Sequence, residues 1–338
     1  MESNLFIPLS IDPSLIKIFS FQELDETFGF ELLSDPATPP DDEHSPPKSM
    51  VLLSHDYAVK ILQDSDPDMP NELLVASKLN ELASLTTVFV HCSGYVLSLE
   101  LPPDVPRLET ISVYEPGHGY VDLPASHYVY AFLQRVRHPF DELPDEPKIN
   151  EDFFFEILIG LYHARKAFNF VHWDIHARNL MFNKTAKHTS RTYQISATFF
   201  VTIQDTNIEP KLIDYGKSAV DAEYSDNRWK EPRFKKFWNK SDVYHLALIF
   251  SHRQNLSPKF KTFLEDKVLG PFANAMYARR LENDSASNHA NIEALLREYF
   301  GNQTKIDCLV CKGPADYKEI NNSFQYFCGV SCQSQFYK

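Results

Sequence analysis

Apolar and polar positions alternate with period two in several short runs of the first third of the chain, the pattern of half-buried strands. Leu15-Ile16-Lys17-Ile18-Phe19 and Phe28-Gly29-Phe30-Glu31-Leu32-Leu33 predict short strands with a polar break between them. Met50-Val51-Leu52-Leu53 and Tyr57-Ala58-Val59-Lys60-Ile61-Leu62 predict a hairpin. Pro70 then opens a helix, with Leu73, Leu74, Leu79, Leu82 and Leu85 at roughly helical spacing. Val88-Phe89-Val90 and Tyr95-Val96-Leu97 predict a further strand pair, and the run from His127 to Leu133 another strand. Residues 35–48 and 138–152 are rich in proline and acid, the first a solvated loop and the second a junction. Beyond the junction the period changes. Phe154, Ile157, Leu158, Leu161 and Ala164 form a helical stripe, Thr192 to Ser196 and Phe199 to Ile203 a hairpin, and 241–252, 257–280 and 290–300 further helices. No internal repeat is visible. Strands gathered early and helices late predict an α+β fold, a small β-rich part followed by a larger helical one.

Composition narrows the classes. Of 338 residues, 43% are hydrophobic, with 26 Phe and 16 Tyr, ample for a core and incompatible with a wholly disordered chain. The length suggests about two domains at roughly 150 residues each. Lys and Arg number 33 against 46 Asp and Glu, a net charge of −13 that disfavours general binding to nucleic acid or anionic membrane. The start Met1-Glu2-Ser3-Asn4 has no basic region ahead of an apolar stretch. No apolar run approaches the roughly 20 residues of a membrane span. The expectation is a soluble, intracellular protein without a membrane partner.

Three later segments carry the chemistry. They are Val171-His172-Trp173-Asp174-Ile175-His176-Ala177-Arg178-Asn179-Leu180, then Lys211-Leu212-Ile213-Asp214-Tyr215-Gly216, then Ser241-Asp242-Val243-Tyr244-His245-Leu246. Taken in this order with Tyr57-Ala58-Val59-Lys60 upstream, they resemble the protein-kinase superfamily over roughly residues 15–300. His172-Trp173-Asp174 with Asn179 resembles the catalytic loop, Asp214-Tyr215-Gly216 the D-F-G motif, and Ala58-Val59-Lys60 the V-A-I-K strand. The resemblance implies a bilobal fold: a kinase-like N-lobe over 1–136, a C-lobe over 137–304 and a separate tail over 305–338. It implies ATP and Mg²⁺ as cofactors, bound in a cleft between unequal lobes. It also implies that Ala58 packs on adenine and that Glu72 pairs with Lys60, with Glu81 the alternative partner. There is also a similarity to kinase-like proteins of large DNA viruses, which implies the cytoplasm or nucleus of a host cell, or a virion.

The residue chemistry fits that reading. Moving a γ-phosphoryl group needs charge neutralised on the phosphates and a nucleophile held in line. Asp214 and Asn179 offer oxygen to Mg²⁺, a hard ion bound through few protein groups. Asp174 can accept a hydroxyl proton, and Lys60 can face the α/β-phosphates.

The pattern also departs from the family. The chain has 10 glycines and no G-x-G-x-x-G ahead of Lys60, so any flap over ATP is built otherwise, around Gly29 or in the acidic loop 35–48. Trp173 replaces an arginine that in many kinases grips a phosphorylated activation loop, which implies activity not gated by such a phosphate. Glu231-Pro232 is a poor echo of A-P-E, and the long stretch from Asn179 to Asp214 implies an extended hairpin. His176 resembles small-molecule phosphotransferases, whereas Ala177-Arg178-Asn179 echoes tyrosine kinases. A serine/threonine or dual-specificity protein kinase is favoured. An inactive pseudokinase scaffold and a small-molecule phosphotransferase remain the alternatives.

Two further features stand apart. Arg228, Lys230, Arg233, Lys235, Lys236 and Lys240 interleave with aromatic residues over 228–240. This basic island could recruit an acidic or phosphorylated protein, or a nucleic acid by stacking and phosphate contact, or be a solvated amphipathic helix. Of five cysteines, Cys92 stands alone, while Cys308-x-x-Cys311 and Cys328-x-x-x-Cys332 sit in the last 31 residues. That spacing predicts a closed, structural four-thiolate Zn²⁺ site resembling treble-clef-like or MYM-type fingers. So short a unit would rely on the metal for stability.

Overall fold

The computed structural model describes residues 18–32, 49–66, 69–103, 108, 111–115, 118–123, 125–220, 238–270, 292–301, 306–307, 314–320 and 323–327. They mix α and β structure and fall into two compact units. The first takes the described residues within Met1–Asn80, Val90–Arg137 and Ile213–Ala219. The second takes those within Glu81–Phe89, His138–Leu212 and Val220–Lys338. The division is not contiguous, since 81–89 belongs with the second unit and 213–219 with the first.

In the first unit the elements run β1 (Ile18–Phe19), α1 (Phe21–Phe28), β2 (Glu31–Leu32), β3 (Met50–Leu53), β4 (Tyr57–Gln63), α2 (Met69–Asn80), β5 (Cys92–Ser98), β6 (Ile111–Glu115), β7 (Gly119–Leu123) and β8 (Tyr128–Gln134). A sheet of order β1-β5-β8-β4-β3-β2 is antiparallel except where β1 joins β5, and β6 and β7 form a separate ribbon. Period two sends Val59 and Ile61 of β4 to one face, where Leu24 of α1 packs among Met50, Leu52, Val96, Tyr130 and Phe132. The other face carries Leu62, Val129 and Ala131, covered by Leu73 of α2. Lys60, directly opposite Val51 and Ala131, belongs to this second face.

Three sequence expectations need correction here. The polar break between the first two strands is the helix α1. Ser20 accepts from the Glu23 N–H while Glu23 reaches back to Ser20, and Gly29 closes the helix in the left-handed conformation at φ 58°. Val88–Val90 is not a strand; within it only Phe89 bridges, to Leu212. The helix opened by Pro70 stops at Asn80, before Leu82 and Leu85. The Asn80 side chain leaves the helix to pair with Cys92, donating to its carbonyl at 2.7 Å and accepting from its N–H at 3.0 Å. Leu74 and Leu85 are exposed.

In the second unit come β9 (His138–Pro139), α3 (Pro147–Phe168), β10 (Leu180–Ser196), β11 (Phe199–Leu212), α4 (Trp238–Ser251), α5 (Pro258–Phe263) with a π-helical turn over Leu264–Leu269, and α6 (Ile292–Phe300). Then follow β12 (Ile306–Asp307), β13 (Pro314–Ile320) and β14 (Ser323–Phe327), a small antiparallel sheet. Phe153, Phe154, Phe155, Ile157, Leu158, Ile159 and Ala164 are all at most 1% exposed, so α3 is the core of this unit. Its rings meet Phe250 of α4, Phe260 and Phe263 of α5 and Tyr299 of α6 at centroid distances of 4.4–6.4 Å. Such pairs contribute about 0.5–1.5 kcal/mol each beyond area burial. No helix among the described residues is long and apolar enough to cross a membrane.

The β10–β11 hairpin is the extended one expected from the length of 179–214, and it lies against α3. Arg191 of β10 donates through Nε (2.9 Å) and Nη2 (2.5 Å) to Glu156 of α3. Glu156 is 1% exposed, and its Oε2 has no partner among the described residues. Burial pushes this carboxyl up to about 7 against the pull of Arg191. The folded chain therefore holds a proton here that the unfolded chain releases near pH 4.5. The stability this group contributes is fully present below that pH and is lost as pH rises through about 7. Glu156→Gln cannot titrate. Its Tm is expected to gain on that of wild type steadily between pH 5 and 8, as followed by circular dichroism. Parallel Tm–pH curves would refute this.

Candidate functional site

Lys60 leads the site in the first unit. β4 puts it on the face covered by α2, and Pro70 starts that helix so that Glu72 falls in its first turn, beside Leu73. The Lys60 Nζ lies 2.7 Å from Glu72 Oε1 and 2.9 Å from Asp214 Oδ1. Glu72, twelve residues away in sequence, is thus the partner; Glu81 lies exposed in the turn after α2. Side-chain exposures are 13% for Lys60, 11% for Glu72 and 45% for Asp214.

Burial disfavours the ammonium, but the two carboxylates outweigh it and hold Lys60 above its usual range. Burial raises the Glu72 carboxyl, with Lys60 pulling it down. Removing each ion from water costs several kcal/mol. A close pair recovers roughly 4 kcal/mol at an effective dielectric constant of 20. The cluster therefore contributes little net stability. It fixes a positive charge beside a carboxylate that is still open to solvent.

Beside Lys60 the same sheet face is apolar and only half-buried. Ala58 stands directly opposite Leu53 on one side and Leu133 on the other. Val51, half-buried, stands opposite Lys60 and continues this apolar strip. Cys92 of β5 is a core residue whose thiol burial pushes up to about 11.

Asp214 opens a tight segment. Its backbone is left-handed at φ 63°, its Oδ1 lies 3.5 Å from the Gly216 N–H, and Ser218 N–H returns to the Tyr215 carbonyl at 2.9 Å. A Cβ on Gly216 would lie 3.4 Å from Glu72 Oε2, an ordinary van der Waals contact, so the segment packs directly beside the Glu72 carboxylate.

The loop 172–179 forms a second cluster, in the second unit. Asp242 of α4, 2% exposed, accepts from the His172 N–H at 2.8 Å and from the Trp173 N–H at 2.9 Å. Trp173 is left-handed at φ 71°. Asp174 N–H donates to His172 Nδ1 at 3.3 Å, and the Asp174 carbonyl accepts from Asn179 Nδ2 at 2.9 Å. The Asn179 N–H donates to the His176 carbonyl at 2.9 Å. These bonds use the main chain of Asp174, and its carboxylate is 25% exposed. His176 Nε2 lies 3.7 Å from Asp174 Oδ2. Burial lowers the His245 imidazole despite Asp242 and Asp174 nearby.

Asn179 in the second unit and Asp214 in the first are each, taken singly, oxygen donors of the kind a hard cation such as Mg²⁺ accepts. The Asn179 amide nitrogen is spent on Asp174, which leaves its oxygen as the end that can meet a cation. Asp214 keeps a half-exposed carboxylate beside Lys60. Both fit.

The chain thus brings Lys60, Glu72 and Asp214 together in one unit, with Ala58 on the same face, and Asp174 with Asn179 in the other. Arg228, Lys230, Arg233, Lys235 and Lys236 of the basic segment lie outside the described residues, as do Cys308, Cys311, Cys328 and Cys332. Among the described residues no group of three His, Cys, Asp or Glu side chains could hold a metal ion. Sequence reasoning missed Asn71 and the hydroxyl of Tyr215, which tie down the Asp214 segment, and it gave Asp242 no role. Asp242 stood in a quoted motif and could have been found; nothing local marks Asn71. No protein-family model matches the chain, and no curated protein matches it.

Proposed function

We propose that the chain is an ATP- and Mg²⁺-dependent phosphotransferase acting inside cells, most simply a serine/threonine or dual-specificity protein kinase. Its two units would be the parts of a divergent protein-kinase-like fold. The observation that carries the reading is the Lys60 ammonium fixed between Glu72 and Asp214 beside a half-buried apolar strip. A fixed cation next to a flat apolar surface suits the phosphates and the base of a nucleotide.

Lys60 neutralises the phosphates, and Ala58 with its cross-strand neighbours seats the base. Asp214 and Asn179 would hold Mg²⁺, which when bound screens charge on the phosphates. Asp174 accepts the proton of the acceptor hydroxyl, in a loop whose main-chain bonds keep its carboxylate in place. The four cysteines of the tail are proposed as the structural Zn²⁺ site, and the basic segment 228–240 as the contact for an acidic or phosphorylated protein substrate.

Thermal unfolding tests the reading. Mg²⁺-ATP at about 100 times its Kd adds about 2.7 kcal/mol, which raises Tm by several degrees. Asp214→Asn is expected to abolish the rise. Transfer of labelled γ-phosphate to peptide hydroxyls completes the case. Transfer only to small hydroxyl or amino compounds would replace the acceptor class. No rise and no transfer would leave a scaffold.

A further inference from the structure

Of the three groups that define the nucleotide site of the first unit, Lys60 sits on a strand and Glu72 on a helix, but Asp214 sits on an irregular segment. Its backbone is in the left-handed region, which costs a non-glycine residue about 1 kcal/mol or more. Left to itself the segment would relax toward ordinary φ values and carry the carboxylate off Lys60.

Contacts from two sides of the segment oppose this. Tyr215 is 3% exposed, and its hydroxyl accepts the Val90 N–H at 2.9 Å; Val90 is itself 3% exposed. Burial raises the phenol, which stays neutral. Three residues on, the Ser218 carbonyl accepts from Asn71 Nδ2 at 2.7 Å, one residue before Glu72 on α2. Phenylalanine at 215 would fill the same space but leave the buried Val90 N–H without its acceptor. The hydroxyl, not the ring, is therefore what a phenylalanine could not supply.

We propose that Tyr215 is a positioning residue: its hydroxyl bond to Val90, with the Asn71–Ser218 bond as second anchor, holds Asp214 in its left-handed conformation on Lys60 and so sets the Mg²⁺-dependent part of nucleotide binding. The role in nucleotide binding rests on the function proposed above; the positioning does not.

The experiment uses the full chain as wild type, Tyr215→Phe and Asn71→Ala. Amide hydrogen exchange is followed over 213–219 and over β3 and β4. Binding of ATP is measured by calorimetry with and without Mg²⁺. Losing one such bond is expected to speed exchange over 213–219 by about tenfold and leave β3 and β4 unchanged. Tyr215→Phe should weaken Mg²⁺-ATP by a similar factor and metal-free ATP much less. A purely structural role would weaken both alike and speed exchange throughout the sheet. That result, or unchanged exchange over 213–219, overturns the proposal. If wild type binds no nucleotide in either form, the proposed function fails, while the exchange data still decide the positioning. Should Tyr215→Phe not fold, Asn71→Ala is expected to show the same local acceleration from the other anchor, and its absence overturns the proposal.

Discussion

Asp174→Asn is expected to cut phosphoryl transfer from ATP by about 10²–10⁴-fold, the range for loss of a general base. The stability of the chain should hardly change. The reason lies in how the loop is built. Asp174 supports residues 172–179 through its main chain, with its N–H on His172 and its carbonyl on Asn179. Its carboxylate is 25% exposed, with His176 Nε2 3.7 Å from Oδ2. Asparagine keeps the shape and removes the basicity. Single-turnover transfer of labelled phosphate, with Tm read alongside, separates the two effects. Transfer within about threefold of wild type would remove Asp174 from the chemistry, since even the weakest base effects exceed that.

Asp242→Ala is expected to do the reverse and damage stability most. Asp242 takes two main-chain N–H groups, from the fully buried His172 and from Trp173. Alanine would orphan both, at about 1–3 kcal/mol each. It would also release the left-handed turn at Trp173, a conformation a bulky residue keeps only when its surroundings impose it. A fall in Tm on the order of 10 °C should follow. Asp242→Asn retains one acceptor oxygen and should lose about half as much. An unchanged Tm in Asp242→Ala would mean that these two hydrogen bonds do not hold the loop.

Much of the site could be read in the sequence because it is written in short, ordered segments. Period two places Lys60 on a strand, Pro70 opens the helix that carries Glu72, and Asp174 and Asn179 share one loop, while their roles were implied by the resemblance to protein kinases. The length of 179–214 gave the long hairpin. Other parts were misread for specific reasons. The helix α1 was hidden by hydrophobic residues at both its ends, although Ser20, Glu23 and Gly29 are ordinary helix-boundary residues. The leucine spacing of α2 ran on past its true end because Leu82, 3% exposed, is buried by the fold outside the helix. The choice between Glu72 and Glu81 could not be made from spacing, since both lie near the same helical stretch.

The sequence by itself determined the mix of strands and helices, the identities of the charged and oxygen-bearing groups, and which of them share a strand, a turn or a loop. These depend on dihedral preference, side-chain period and local capping, all of which act over a few residues. Only the tertiary structure decided that Asp214 joins Lys60 across 154 positions, that Tyr215 meets Val90, that Asn71 meets Ser218 and that Asp242 anchors the loop at His172. Those contacts form because burial brings distant segments together and then requires every buried N–H and carbonyl to find a partner, a demand set by the whole packed unit.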